Sequence, residues 1–208
     1  AATLVLLGGI LREQGKPECV GSYQEALTLC QRIGDRQSEA LAAFHLGHAY
    51  KGLPSLRDLD QAERWYQCSL ELHSDSDRQG RARCLGQLGF VAYERFSDAR
   101  EAQRPAEELL QHLNAAAAFC GQALELLPAD AVNDLAVTHH ELGNIYGDAG
   151  DLERALRHYG ESIRYKEAAG NVYGAGETRF NVALALARAG RFADAREYAR
   201  VALRNFQT

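Results

Sequence analysis

Leu142-Gly143-Asn144-Ile145-Tyr146, then Gly150-Asp151, then Ala155, Tyr159, Ser162 and Ile163, is the stretch whose reading decides the fold. Gaps of three and four residues put each apolar set on one helical stripe. Gly150-Asp151 interrupts the run, so the stretch reads as two helices joined by a turn. The first half recurs along the chain as Leu7-Gly8, Leu46-Gly47, Leu88-Gly89 and, in an altered copy, Val182-Ala183. The small residue stands at 8, 47, 89, 143 and 183, at spacings of 39, 42, 54 and 40. A second half comes after it each time, as Tyr23, Ala26 and Leu27; Ala62, Tyr66, Ser69 and Leu70; Ala116, Cys120, Ala123 and Leu124; and Ala195, Ala199, Ala202 and Leu203. A fixed period of this length is the mark of stacked helical repeats. The small residue lets the second helix approach the backbone of the first, and neighbouring Tyr and Leu side chains fill the seam.

Composition agrees with an all-α chain. Of 208 residues, 34 are Ala and 28 Leu, both strong helix formers, whereas Val, Ile and Thr together number 17. The formal net charge is −5, which leaves no electrostatic footprint for nucleic acid or an anionic membrane. No apolar run reaches the roughly 18 residues of a membrane span. Ala1 to Leu11 is apolar, but it lacks a basic leader and fits the repeat pattern. The five cysteines (19, 30, 68, 84 and 120) include no Cys-x-x-Cys pair and read as free core thiols of a reducing, cytoplasmic compartment. The chain has no Met, and both ends lack an extra polar capping helix. These features predict a segment of a longer protein.

The repeated residues resemble the tetratricopeptide repeat family: Leu-Gly-x-x-Tyr on the first helix (A), a glycine turn, then Ala-x-x-x-Tyr-x-x-Ser-Leu/Ile on the second (B). The period near 40 is similar to the longer-helix subgroup, which includes kinesin light chains, polarity adaptors and the sensor regions of bacterial signalling ATPases. The resemblance implies a single right-handed α-solenoid of about five units, roughly 1–39, 40–81, 82–135, 136–175 and 176–208. Ile33-Gly34-Asp35-Arg36 and Ala169-Gly170-Asn171 fit its turns, with glycine as the helix C-cap.

The third unit is about 14 residues too long, and the excess lies between Ala92 and Ala116. Pro105 followed by Glu107-Glu108 marks a helix start. Phe96 on one side, and Leu109 and Leu113 on the other, extend the apolar stripes. Both helices are therefore expected to run about two turns further, forming a knob that is either a tolerated insertion or a partner contact. The longer turn Gly52-Leu53-Pro54-Ser55-Leu56 reads as inconsequential, and Trp65 as packing between repeats.

No P-loop, HExxH or GxSxG motif is present. Gly170 to Gly176 joins two helices without a preceding strand. Neither His45 with His48 nor His139 with His140 and Glu141 supplies the convergent ligands of a metal site. No catalytic residue, cofactor or metal is expected, and binding is the better reading.

At about 100° per residue, the A-helix residues opposite the B-facing stripe are Phe44, His48 and Lys51; Arg83, Phe90 and Tyr93; Val137, His140, Asn144 and Asp148; and Phe180, Leu184 and Arg188. In the tetratricopeptide family this face lines a concave groove, so the resemblance implies a groove for a protein or peptide partner. The alternative for each Phe is packing between neighbouring A helices. Relatives use an Asn at the Asn144 position to clamp a peptide backbone, since an amide both donates and accepts. Here the other units place His48, Phe90 and Leu184 there, so the clamp is incomplete. Asn181 is a second candidate. The competing function is a self-associating spacer, with Ala115 to Ala118 as an oligomer-forming face.

Overall fold

The computed structural model describes residues 1–207, and among them it contains ten α-helices and no strand. They form five antiparallel A–B pairs: α1 (Ala2–Glu13) with α2 (Cys19–Ile33), α3 (Arg36–Gly52) with α4 (Leu59–Leu72), α5 (Arg78–Glu101) with α6 (Ala106–Leu126), α7 (Val132–Asp148) with α8 (Leu152–Ala168), and α9 (Val172–Arg188) with α10 (Phe192–Phe206). The later pairs begin at 36, 78, 132 and 172, so the bounds set by repeat spacing fall about one helical turn inside the A helices. Each B helix packs against its own A helix and against the next one, and the chain is an all-α solenoid.

The pairs start and stop where local chemistry requires it. Asp35, Asp58, Asp77, Asp151 and Asn171 sit at helix N-caps and accept hydrogen bonds from backbone N–H groups of the first turn. Such a cap stabilises a helix end by about 1 kcal/mol. Gly34 and Gly170 adopt φ of 71° and 70° at the ends of α2 and α8, a left-handed geometry that costs glycine no Cβ clash.

The seam within a pair is a tyrosine ring laid on a glycine. A Cβ on Gly47 would stand 2.6 Å from Tyr66 Cε1, and one on Gly8 or Gly143 would overlap the ring of Tyr23 or Tyr159. All three tyrosines are buried. Burying such a ring is worth on the order of 2–3 kcal/mol. The third unit departs from this rule, because Cys120 Sγ and the Ala116 carbonyl occupy the place over Gly89. The hydroxyls of Ser69 and Ser162 on the B helices donate to the Ala40 and Ala136 carbonyls (both 2.8 Å), which bonds the pairs across their apolar seams.

The third pair is long, as its sequence predicts: α5 has 24 residues and α6 has 21, against 17 in α3, α7 and α9. Its extension is tied down. Phe96, Ala99 and Leu113 are buried inside it. Arg57, in the long turn after α3, pairs with Glu94 (3.1 Å) and Asp98 (2.9 Å), and Arg95 pairs with Asp60 (2.7 Å) and Glu63 (2.6 Å). The two irregularities thus meet each other: the longer second-unit turn carries the cation that anchors the third-unit extension. Trp65 packs into the core shared by the first two pairs. The Ala115–Ala118 run serves the core as well. Ala116 is buried, Ala115 and Ala117 pack beside it, and Ala118 alone of the four is exposed.

Gly47→Ala is expected to lower the unfolding free energy in urea by about 1–3 kcal/mol, through overpacking against Tyr66. Gly21→Ala, in α2 with open space around it, is expected to be neutral or stabilising by up to about 1 kcal/mol.

Candidate functional site

The A helices succeed one another along one face, and that face carries a chain of cavities. One of about 490 Å3 lies between α3 and α5, lined by Leu41, Phe44, Gly80 and Arg83. A second, of about 370 Å3, shares Phe44 and Arg83 with the first and reaches α7 through Phe90, Val137 and Glu141. A third, of about 220 Å3, lies between α5, α7 and α9 and is lined by Tyr93, Asn144, Asp148, Asn181, Leu184 and Arg188. Of the thirteen candidate residues read from the sequence, all but Phe180 line these cavities or touch a residue that does. Phe180 stands apart, 47% exposed on α9.

Many of these side chains are already paired with one another. Lys51 Nζ donates to Gln87 Oε1 (2.7 Å) and lies 3.9 Å from the centre of the Phe90 ring. Arg83 Nε donates to both oxygens of Asp134 (3.1 and 3.2 Å). Tyr93 Oη donates to Asp148 (2.7 Å), which also receives Arg188 (2.9 Å) and Arg100 (3.2 Å). The Asp148 side chain is only 9% exposed, so it is a satisfied structural carboxylate bridging three A helices. Phe44 is half-buried, edge-on to His48 at 4.6 Å and to Tyr66 at 5.5 Å between ring centres. Phe44 therefore fills the inter-helix seam and still lines the groove, whereas Phe180 is free of it.

The tyrosines of the seam reach through to this face. Tyr66 Oη and His48 Nδ1 are 3.1 Å apart, and at the equivalent place Tyr159 Oη donates to Asn144 Oδ1 (2.9 Å). Asn181 Nδ2 also donates to Asn144 Oδ1 (3.0 Å) and lies 3.3 Å from His140 Nε2, while His140 Nδ1 meets Thr178 Oγ1 at 3.0 Å. Asn144 Oδ1 is therefore saturated from inside the protein. The expected two-way amide clamp is reduced to a donor, and Asn181 is spent on holding Asn144 and His140.

Glu141 is not among the residues selected by helical offset. It stands directly before Leu142-Gly143, the column that holds His45, Gln87 and Asn181 in other units. Gln87 and Asn181 reach back to the preceding A helix and bond Lys51 and Asn144. Glu141 lines the same cavity as Phe90, which offers no polar group, and its own hydrogen bond is to Asn144 on the same helix. This column is the signal in the sequence that finds it.

Burial sets the charge states here. It lifts the Glu141 carboxyl to about 7, against the opposing pull of the Asn144 bond and of Lys51. Desolvation pushes His48 down to about 3, helped by Lys51, and His140 to about 4, helped by Lys166. Lys51 itself falls to about 8, again chiefly through burial. Cys84 and Cys120 rise to about 11 and about 12 for the same reason, so both are unreactive thiols. No group of three or more His, Cys, Asp or Glu among the described residues is arranged to hold a metal ion. No helix among them is long and apolar enough to cross a membrane.

Residues 133–208 match the tetratricopeptide repeat family model. The match covers the last two helix pairs, and the chain as a whole is an all-α solenoid of helical repeats. Solved structures extend the likeness to the whole length. BtubC (BKLC) from P. vanneervenii is similar over 98% of this chain and 78% of its own, with 18% identity and a TM-score of 0.79. A protein of Podosopora anserina assigned as a kinesin light chain, with nearly identical TPR-like repeats, covers 98% of this chain and 93% of its own at 13% identity and a TM-score of 0.70. MamA covers 96% and 94%, with 18% identity and a TM-score of 0.64. No curated protein sequence matches the chain significantly. At these identities the structural likeness is one of fold.

The pH signs oppose each other. His48 and His140 have folded pKa values below the unfolded 6.5, so their contribution is present above pH 6.5 and is lost as pH falls toward those values. Glu141 has a folded value above its unfolded 4.5, so its contribution is present below 4.5 and is lost as pH rises through about 7. Glu141→Gln is therefore expected to raise the melting temperature at pH 7. Between pH 7 and 5 the variant should lose stability more steeply than the parent, read by circular dichroism melts.

Proposed function

We propose that the A-helix face is a groove that holds a peptide or an extended segment of a protein partner. Tetratricopeptide repeats are protein-interaction and scaffold modules, and the observation that carries the reading onto this face is its unsatisfied apolar surface. Leu41, Val137 and Leu184 line the three cavities and Phe180 stands outside them on α9, and all four are between 43% and 55% exposed. Apolar groups rimmed by paired charges are what a protein-binding surface presents. A tetratricopeptide solenoid is typically non-catalytic, and on this face His48 meets Tyr66, His140 meets Thr178, and Asp134 and Asp148 are held by arginines.

The partner is a protein chain rather than a nucleic acid, because the cations of the face are already spent: Arg83 on Asp134, Arg188 and Arg100 on Asp148. The finer setting we propose is a cytoplasmic scaffold or sensor region of a larger signalling protein. Its five free cysteines, four of them buried, fit a reducing compartment. The spacer alternative rests on an Ala-rich face that the protein largely uses for its own core.

Selection of random dodecapeptides displayed on phage tests the groove. Peptides retained by the parent chain are expected to lose at least about tenfold in affinity to a Phe180→Ala/Leu184→Ala variant whose helical circular dichroism is unchanged. Equal binding to both would move the contact surface off the A helices.

A further inference from the structure

We propose that the cavity between α3, α5 and α7 receives the lysine or arginine side chain of a bound peptide, whose cation meets the Glu141 carboxylate. The inference rests on the groove reading above and names what one position of the groove selects.

The cavity exists because the third unit breaks two rules at once. Units one, two and four lay a B-helix tyrosine over the A-helix glycine, whereas unit three has Cys120 there. The sulfur reaches less far than a phenol, and Cys120 is accordingly part of the cavity lining. The residue after the glycine is His48 in unit two and Asn144 in unit four, each bonded to its tyrosine, but in unit three it is Phe90. At the α5–α7 step the bond from this column is therefore missing, and the two helices are joined instead by Arg83 with Asp134 and by Tyr93 with Asp148. Gln87 and Asn181, the counterparts of Glu141, bond the preceding A helix, whereas Glu141 bonds only Asn144 of its own helix and lines the cavity with Phe90.

A carboxyl withdrawn from water in a cavity lined by Phe44, Phe90, Val137 and Leu127 is held as the carboxylate by a counter-charge and is otherwise drawn toward its protonated form. The protein supplies none in contact. Among the described residues Glu141 forms no ion pair, and its neighbour on α7 is the Asn144 amide. Lys51 on α3 is turned to Gln87 and to the Phe90 ring. Lys166 on α8 donates to Thr178 Oγ1 (2.8 Å) and the Gly174 carbonyl (3.2 Å). Glu94 on α5 adds like charge. The rim cation Arg83 is held by Asp134.

The walls suit a long aliphatic stem ending in a cation. Val137 and Phe44 take the methylenes. The aromatic faces take the charge, as Phe90 already does with Lys51 at 3.9 Å. A cavity of about 370 Å3 accommodates either side chain. Charge complementarity thus commits the site to a basic residue, and acidic or neutral residues leave the carboxyl unmatched.

The same random dodecapeptide library provides the test, read for sequence and against Glu141→Gln. Retained peptides are expected to share one basic residue at a fixed place. Each should weaken at least about tenfold when that residue is replaced by citrulline, or when Glu141 is replaced by Gln, with helical circular dichroism unchanged. Peptides that need Phe180 and Leu184 but carry no fixed basic residue, or bind Glu141→Gln as tightly, overturn the inference and leave the groove reading standing. If no peptide depends on the groove, that reading fails, and N-acetyl-arginine methylamide decides the site alone. A saturable shift of the Glu141 Cδ resonance, absent with the citrulline analogue, supports it, and no difference between the two probes overturns it.

Discussion

A tyrosine ring resting on a bare helix backbone sets the dimensions of this protein. Gly8, Gly47 and Gly143 bring the B helix close enough for Tyr23, Tyr66 and Tyr159 to lie flat in the seam. The consequence reaches beyond packing. The ring is long enough that its hydroxyl emerges near the groove, where Tyr66 meets His48 and Tyr159 meets Asn144. The apolar seam and the polar floor of the groove are therefore two ends of one side chain. Any change that moves the helix pair also moves the floor, because densely packed interiors transmit displacement rather than absorb it.

The third unit lacks that contact and is built differently as a result. With Cys120 over Gly89, the pair loses a phenol from its seam and recovers contact elsewhere. Its helices run two turns further, burying Phe96, Ala99 and Leu113. The extension is then held to the second unit by Arg57 and Arg95. Exposed pairs of this kind are worth about 0–1 kcal/mol each, so their role is orientation rather than bulk stability. The cavity that reaches Glu141 lies beside this irregular unit, where Cys120 stands in place of the ring.

The fold is legible in the sequence because it depends on repetition. Five copies of small residue, turn and apolar stripe, read at spacings of 39 to 54, locate every helix pair and even the two extra turns at Phe96 and Leu109. Helical offset alone also finds most of the groove. It cannot show how those residues are used. A three- or four-residue gap places Asn144 on the right face, but whether its carbonyl oxygen is available depends on Tyr159 and Asn181, 15 and 37 residues away. Arg57 is illegible for the same reason, since its partners lie 37 and 41 residues on and the turn that carries it has no pattern of its own. Glu141 escapes the offset rule because it sits between the stripe facing helix B and the stripe facing solvent. Only alignment of the units, column by column, reveals that position as the one reaching across to the previous A helix.

That column separates structural from available residues along the groove. Gln87 and Asn181 hold neighbouring A helices in register, and Asp148 gathers Tyr93 and Arg100 from α5 and Arg188 from α9. Replacing any of these loosens the solenoid along with the surface, and a lost ligand would then report curvature as much as contact. A buried network member left unpaired costs more than the bond it made. The residues a partner meets without dismantling the protein are those outside the ladder: Val137, Phe180 and Leu184, which make no polar bond, and Glu141, which makes no bond to a neighbouring A helix. On the proposed reading, three apolar groups and one carboxyl without an ion pair describe a ligand with apolar anchors and a single cation. That is a narrower specification than the mixed charge of the whole face conveys, because most of that charge is already spent within the protein.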